Sequence, residues 1–129
     1  YSDVGLLTSA YLNSTALDIL AGDDEVNYGA IYENVVAQEL TAHGFSHLYY
    51  YNSKRLGELD FLVQDLNDNI IPIEVKSGKN YKVHRALNNV LVEESYHLHQ
   101  GLVFGPGNIE TNNNITYYPI YLIGQFCNN

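Results

Sequence analysis

The residues that this sequence lacks narrow its possible roles. Cys127 is the only cysteine among 129 residues, so no disulfide can form within the chain, and a cytoplasmic location is expected. No methionine is present, which suggests a chain excised from a longer polypeptide. No apolar run approaches the roughly 18 residues of a membrane span, and no basic stretch precedes an apolar one at the start. Neither a membrane segment nor a signal peptide is therefore expected.

Basic residues are also scarce, and they are unevenly placed. Six Lys and Arg against fifteen Asp and Glu give a net charge of -9 and a pI near 4.7. Such a surface repels phosphate, which excludes a free-standing, non-specific DNA coat. All six basic residues lie between positions 54 and 85, where five acidic residues leave a net charge of +1. Lys79, Lys82 and Arg85 are therefore the candidate nucleic-acid contacts, although a solvated loop face explains the segment equally well.

The overall composition is that of an ordinary globular domain. Apolar residues make up 46% of the chain and charged residues 16%, which excludes intrinsic disorder and a charge-rich coiled coil. A chain of this length buries enough surface for one core without disulfides. We therefore expect a single domain.

Hydrophobic periodicity predicts a helix, three strands, a second helix, a strand and an extra strand at the end. The predicted elements are short helical pieces within residues 1–20, a helix over 28–43 ended by Gly44, strands over 47–52, 59–64 and 70–76, a helix over 84–98, and strands over 101–104 and 115–123. In the first long helix, Ala30, Glu33, Ala37 and Leu40 share one face. Glu33 is the carboxylate on that stripe, and it either points into a pocket or reaches solvent at the edge.

The second and third strands are predicted to form a hairpin with a defined register. The turn formers of residues 65–69 centre on Asn67, so that Asp60 faces Glu74 and Glu58 faces Lys76. Side chains alternate along a strand, which places Asp60 and Glu74 on one face with Cβ atoms about 5 Å apart. Leu59 is expected on the other face, together with Phe61, Val63, Ile71, Ile73 and Val75.

Two carboxylates beside a lysine suit a hard divalent cation. Mg²⁺ or Mn²⁺ is commonly held by one or two carboxylates, with water and substrate phosphate in the other positions. Such an ion with Lys76 fits phosphodiester hydrolysis. In a purely structural alternative, Glu58 pairs with Lys76 and the Asp60 carboxylate caps a backbone group.

Glu33, Asp60 and the run Glu74-Val75-Lys76, on a helix and two strands, resemble the PD-(D/E)xK nuclease superfamily, whose core runs α-β-β-β-α-β. The chain also resembles more closely the domain of unknown function, family 4143, at the C-terminus of bacterial and archaeal AAA-type ATPases. That resemblance rests on Asp3-Val4-Gly5-Leu6-Leu7, on residues 29–40, on Glu58-Leu59-Asp60-Phe61, and on residues 73–78.

The resemblance implies a restriction-endonuclease-like α/β fold with a mixed central sheet flanked by helices, in one domain made of a lead-in segment (residues 1–27) and a core (28–129). It implies that ATPase and winged-helix domains of the same polypeptide precede it. It also implies that Glu33, Asp60 and Glu74 hold the metal and that Lys76 is the catalytic lysine. The expected function is Mg²⁺-dependent hydrolysis of DNA, and the alternative is a non-catalytic nuclease-fold module that binds the ATPase or another partner.

Overall fold

The protein has a mixed α/β structure in which a sheet lies between two helices. A computed structural model describes residues 28–45 and 47–123, so the helical pieces predicted within residues 1–20 lie outside the described residues. The helices are α1 (Tyr28–Ala42) and α2 (Arg85–Val92). The strands are β1 (Tyr49–Ser53), β2 (Gly57–Gln64), β3 (Ile70–Val75), β4 (Gly101–Gly105), β5 (Glu110–Asn112) and β6 (Ile115–Pro119). Short 3-10 turns lie at Glu94–Tyr96 and Ile120–Leu122.

The sheet joins the six strands of the described chain in the order β1-β2-β3-β4-β6-β5. The pairs β1/β2, β2/β3 and β5/β6 are antiparallel, whereas β3/β4 and β4/β6 are parallel. The connection from β3 to the parallel β4 runs through α2, as a crossover requires. The predicted α/β class with a mixed central sheet is therefore confirmed.

Each face of the sheet has its own apolar cluster. On one face, Val36 and Leu40 of α1 pack with the buried side chains of β3 and with Phe104. On the other face, Leu87 and Val90 of α2 pack with buried residues that include Val103. Adjacent residues of β4 thus point to opposite helices, and every residue of this central strand is buried.

Helix α1 ends where the sequence predicts. Gly44 has a φ of +103°, a conformation that glycine adopts without steric cost. The backbone N–H of Phe45 donates to the Leu40 carbonyl at 3.0 Å, and that of Gly44 donates to the Thr41 carbonyl at 3.2 Å. These bonds satisfy carbonyls that the helix end would otherwise leave unpaired.

The buried stripe of α1 differs from the predicted one. Val36 and Leu40 are fully buried and Tyr32 packs against their cluster, so the buried line runs at a spacing of four residues. Ala37 is only half-buried, and Glu33 is exposed. The larger side chains release more apolar surface from water than alanine does, and they decide which face of the helix meets the sheet.

The β2–β3 turn and its register follow the prediction. The Asp65 carboxylate accepts hydrogen bonds from the backbone N–H groups of Asn67 (2.8 Å) and Asn69 (2.9 Å), and Asp68 has a left-handed φ of 62°. The ladder runs from Gln64↔Ile70 to Phe61↔Ile73. Its partners are those that a turn centred on Asn67 predicts.

The second half of the chain departs from the predicted boundaries. Helix α2 stops at Val92 because Glu93 is extended, and a 3-10 turn replaces the rest of the predicted helix. Glu93 accepts a hydrogen bond from Arg55 at 2.7 Å, which favours the end of α2 at Val92. The last strand stops at Pro119, and a 3-10 turn replaces its remainder. Strand β5 was not predicted, because its three exposed residues carry no hydrophobic signal.

In the described residues, neither helix combines the length and the apolar character that a membrane crossing requires.

The C-cap of α1 gives a direct stability test. Gly44→Ala should lower the free energy of unfolding by about 1 kcal/mol, because alanine is strained at this φ although its Cβ would meet no neighbour within 4 Å. Gly78→Ala is the matched control, since its Cβ also meets nothing within 4 Å and no left-handed φ is involved. Urea denaturation measures both variants, and equal effects would contradict this account of the cap.

Candidate active site

A β-bulge in β2 positions the first of the predicted site residues. Tyr49 pairs with Leu62 and Tyr51 pairs with Leu59, so Tyr50 of β1 lies opposite two residues of β2, Asp60 and Phe61. An inserted residue of this kind re-aims the side chains beside it. The bulge also explains why the prediction for Leu59 is wrong. Leu59 packs in the α2-side cluster, whereas Phe61 packs on the α1 side.

Asp60 lies just beyond the last paired residues of β2 and β3. Its carboxylate accepts a hydrogen bond from the Val75 N–H at 2.8 Å. Lys76, which follows Val75, donates its backbone N–H to the Phe104 carbonyl of β4 at 2.8 Å. The N–H groups of Val75 and Lys76 thus point to opposite neighbouring strands, and the Asp60 side chain satisfies the one that faces β2.

Glu74 is the buried carboxylate of the site. Only 8% of its surface is exposed, and it pairs in the parallel ladder with Val103. Burial raises the pKa of Glu74 to about 8, with further contributions from the charge of Asp60 and from a hydrogen bond with it, whereas the Lys76 charge acts in the opposite direction. At neutral pH Glu74 therefore carries a proton.

Glu33 reaches the same carboxylates from the rim. Its side chain is exposed, because it lies one residue round the helix from the buried Tyr32 line. Its pKa is nevertheless raised, first by partial burial, then by the charge of Asp60 and by a hydrogen bond with that residue. Both alternatives for Glu33 are thus met in part, because its side chain is exposed at the edge and also lies near Asp60.

Glu33, Asp60 and Glu74, here called the acid cluster, are thus brought together with Lys76 beside them. Of the purely structural alternative, in which Glu58 pairs with Lys76 and Asp60 caps a backbone group, only the second part is observed. Asp60 caps a backbone N–H, but Glu58 does not pair with Lys76. Glu58 instead accepts a hydrogen bond from the Asn52 amide at 3.1 Å and another from the Tyr50 hydroxyl.

The three candidate nucleic-acid contacts are all exposed, but they are not equivalent. Lys82 forms an ion pair with Glu110 at 2.7 Å, which offsets its charge. Within residues 28–45 and 47–123, neither Lys79 nor Arg85 forms an ion pair. Lys79 and Arg85 are the better placed of the three to meet phosphate.

The acid cluster has the donor chemistry of a magnesium site but not its final geometry. Three carboxylates and no soft ligand match the preferences of Mg²⁺ and Mn²⁺. In the described part of the chain, no three His, Cys, Asp or Glu side chains are already arranged around one ion position. Asp60 raises the pKa values of both Glu33 and Glu74, so a bound cation would have to displace the proton that Glu74 holds at neutral pH.

Tyr50 and Glu58 are neighbours of the site that sequence reasoning did not select. Tyr50 lies opposite the bulge, and its pKa is raised by a hydrogen bond to Glu58, by burial, and by the charges of Glu58 and Asp60. The only feature of the sequence that pointed to these neighbours was the spacing of two residues between Glu58 and Asp60. That spacing places both carboxylates on one strand face, but no pattern predicts which Tyr of Tyr49-Tyr50-Tyr51 joins them.

Comparison with known proteins identifies the family. The family described as "Domain of unknown function (DUF4143)" matches residues 28–123, which include every member of the acid cluster. The chain belongs to this family. No curated protein and no solved structure matches it.

Glu74 gives a pH-dependent stability test. Its pKa is higher in the folded chain than its ordinary value of 4.5, so the folded state binds more protons and the contribution of Glu74 to stability falls as pH rises from about 4.5 to about 8. Glu74→Gln should flatten this part of the pH profile and raise Tm at pH 8, because the amide donates to Asp60 at every pH.

Thermal unfolding between about pH 5 and pH 9 measures this effect. Glu94→Gln, which removes an exposed carboxylate outside the cluster, is the control. Parallel profiles for the wild type and Glu74→Gln would show that Glu74 does not carry the proton.

Proposed function

We propose that this chain is a Mg²⁺-dependent nuclease-type domain that hydrolyses phosphodiester bonds of DNA. The observation that carries the proposal is the contact of Asp60 with both Glu33 and Glu74, next to Lys76, at one end of the β2–β3 hairpin. Crowded carboxylates with raised pKa values are costly to a fold, and they are typical of functional sites.

The order of elements supports the same proposal. Helix α1, strands β1 to β3, helix α2 and strand β4 follow one another in the order α-β-β-β-α-β. This order, with acids on α1, β2 and β3, is the one expected for a PD-(D/E)xK core. We include the restriction-endonuclease-like topology in the proposal.

Each residue of the site has a distinct role in the proposed reaction. Asp60 and Glu74 would hold Mg²⁺ or Mn²⁺, with Glu33 as a further ligand from the rim. When bound, the ion would supply Lewis acidity that activates water and offsets charge on the phosphate. Lys76 supplies a positive charge beside Glu74, where it stabilises negative charge that develops on phosphorus-bound oxygens.

The net charge of -9 sets a condition on substrate binding. A surface of this charge engages DNA weakly unless a basic partner holds the strand nearby. We propose that ATPase and winged-helix domains of the same polypeptide, in the cytoplasm, fill that role. Lys79 and Arg85 then contact the strand locally.

A second function is favoured by one observation. The Asp60 carboxylate already satisfies the Val75 N–H, so its position is explained without a metal. A non-catalytic module that binds the ATPase or another partner would keep this capping role. In that case the raised pKa values would be by-products of burial.

The two functions differ in the effect of single substitutions on cleavage. Lys76→Ala should lower Mn²⁺-dependent cleavage by about 100-fold or more while Tm stays unchanged, because it removes charge and little packing. Lys54→Ala is the matched control, since it removes an exposed lysine that has no assigned contact with the strand. Asp60→Asn should abolish both Mn²⁺ binding and cleavage, with Tm equal or higher, because acid repulsion is relieved.

The assay uses linear, nicked, branched and single-stranded DNA, with this chain alone and within its full-length polypeptide with ATP. Cleavage that survives Lys76→Ala would contradict the assigned role of that lysine. The absence of both cleavage and bound metal in the full-length protein would favour the interaction module.

Metal binding should be linked to proton release. A carboxylate must be deprotonated to bind an ion, and the pKa of Glu74 is about 8. Mn²⁺ affinity should therefore rise up to about tenfold per pH unit below that value and level off above it. Titration calorimetry in two buffers of different ionisation enthalpy measures the protons released. An affinity that does not change with pH would contradict Glu74 as a ligand.

A further inference from the structure

Tyr50 is the exposed aromatic residue that borders the acid cluster. It lies on β1, opposite Asp60 and Phe61 of the bulge, and 65% of its surface is exposed. Its neighbours along β1 point the other way. Tyr51 packs in the α2-side cluster and bonds the Tyr96 hydroxyl at 2.8 Å. Strand alternation therefore places Tyr50 on the α1 side, the side from which Glu33 reaches Asp60.

The Tyr50 hydroxyl lies beside Glu58. Glu58 and Asn52 follow the same alternation on β2 and β1, and the Asn52 amide fixes Glu58 at 3.1 Å. The Tyr50 hydroxyl bonds to this held carboxylate. Among the described residues no other aromatic ring stacks on Tyr50, whereas Tyr49 stacks on His47 with ring centroids 6.3 Å apart. Strand β1 thus presents an open aromatic face beside the carboxylates.

We propose that Tyr50 is a substrate-contact residue that stacks on an unpaired DNA base next to the phosphate at the acid cluster. This inference rests on the proposed function and adds the substrate class, single-stranded or frayed DNA. An aromatic face binds a base only when the base is free of its duplex stack. The net charge of -9 limits the affinity available from phosphate contacts, so stacking carries a larger share of binding.

The test measures binding apart from cleavage. The 129-residue chain is titrated into a fluorescent oligothymidine of about 12 nucleotides, with Ca²⁺ in place of Mg²⁺ to hold cleavage off. A second oligonucleotide carries one 2-aminopurine base, whose fluorescence is quenched by stacking. A third oligonucleotide has an abasic site at the position of the 2-aminopurine. A matched duplex reports the preference for unpaired DNA.

Tyr50→Ala should weaken binding of the single strand about tenfold and abolish the 2-aminopurine quenching. Tyr50→Phe keeps the ring and should bind within twofold of the wild type, as should Tyr49→Ala, which removes a 51% exposed tyrosine outside the site. The wild type should bind the abasic DNA more weakly than the intact single strand. Tyr50→Ala should bind the abasic and the intact DNA equally.

The inference is overturned if Tyr50→Ala binds like the wild type, if Tyr50→Phe loses as much as Tyr50→Ala, or if the duplex binds as tightly as the single strand. Failure of the proposed function has a different signature. In that case, stacking persists in Ca²⁺ but Mn²⁺ produces no cleavage in any variant.

Discussion

The hydrogen bond from the Val75 N–H to the Asp60 carboxylate is the contact on which the site depends. It lies where the β2–β3 ladder ends and where the bulge gives β2 an extra residue. A backbone acceptor at this point would continue the sheet. A side-chain acceptor instead brings a carboxylate between two strands, where Glu74 of β3 and Glu33 of α1 meet it.

The carboxylates are held together at an electrostatic cost. Burial raises the pKa of Glu74 to about 8, and the neighbouring charge of Asp60 adds to that effect. A proton on Glu74 relieves the repulsion in the absence of a cation, and a divalent cation would relieve it in another way. In the proposed metal site, a proton and a divalent cation would thus be alternative solutions to one crowding problem, and pH would decide between them.

The hairpin could be predicted because its determinants are local. Turn formers around Asn67 set the register, and the register sets which residues of β2 approach Glu74. The ladder stops at Phe61↔Ile73, one pair short of the predicted pair of Asp60 with Glu74, but the same register brings Asp60 close enough to raise the pKa of Glu74. Alternation along β3 also predicted Lys76 beside Glu74, whereas for Glu33 the helix pattern left open whether the side chain enters a pocket or reaches solvent.

Features that depend on tertiary packing could not be predicted in this way. The rotation of α1 that buries Val36 and Leu40 and exposes Glu33 is decided by the sheet beneath the helix. The bulge at Asp60 depends on the pairing of β1, whose three consecutive tyrosines contain no register signal. Strand β5 has no apolar side to be recognised, and only its pairing with β6 defines it.

The most direct test of the central claim is the anomalous scattering of crystals of this chain soaked in Mn²⁺ above about pH 8, where Glu74 is deprotonated. We expect one Mn²⁺ within about 2.2 Å of oxygens from Asp60 and Glu74, with Glu33 turned towards it. Soaking at about pH 5.5 should reduce the peak, because Glu74 then keeps its proton. An empty position at high pH, with Asp60 and Glu74 still hydrogen-bonded to each other, would contradict the metal site.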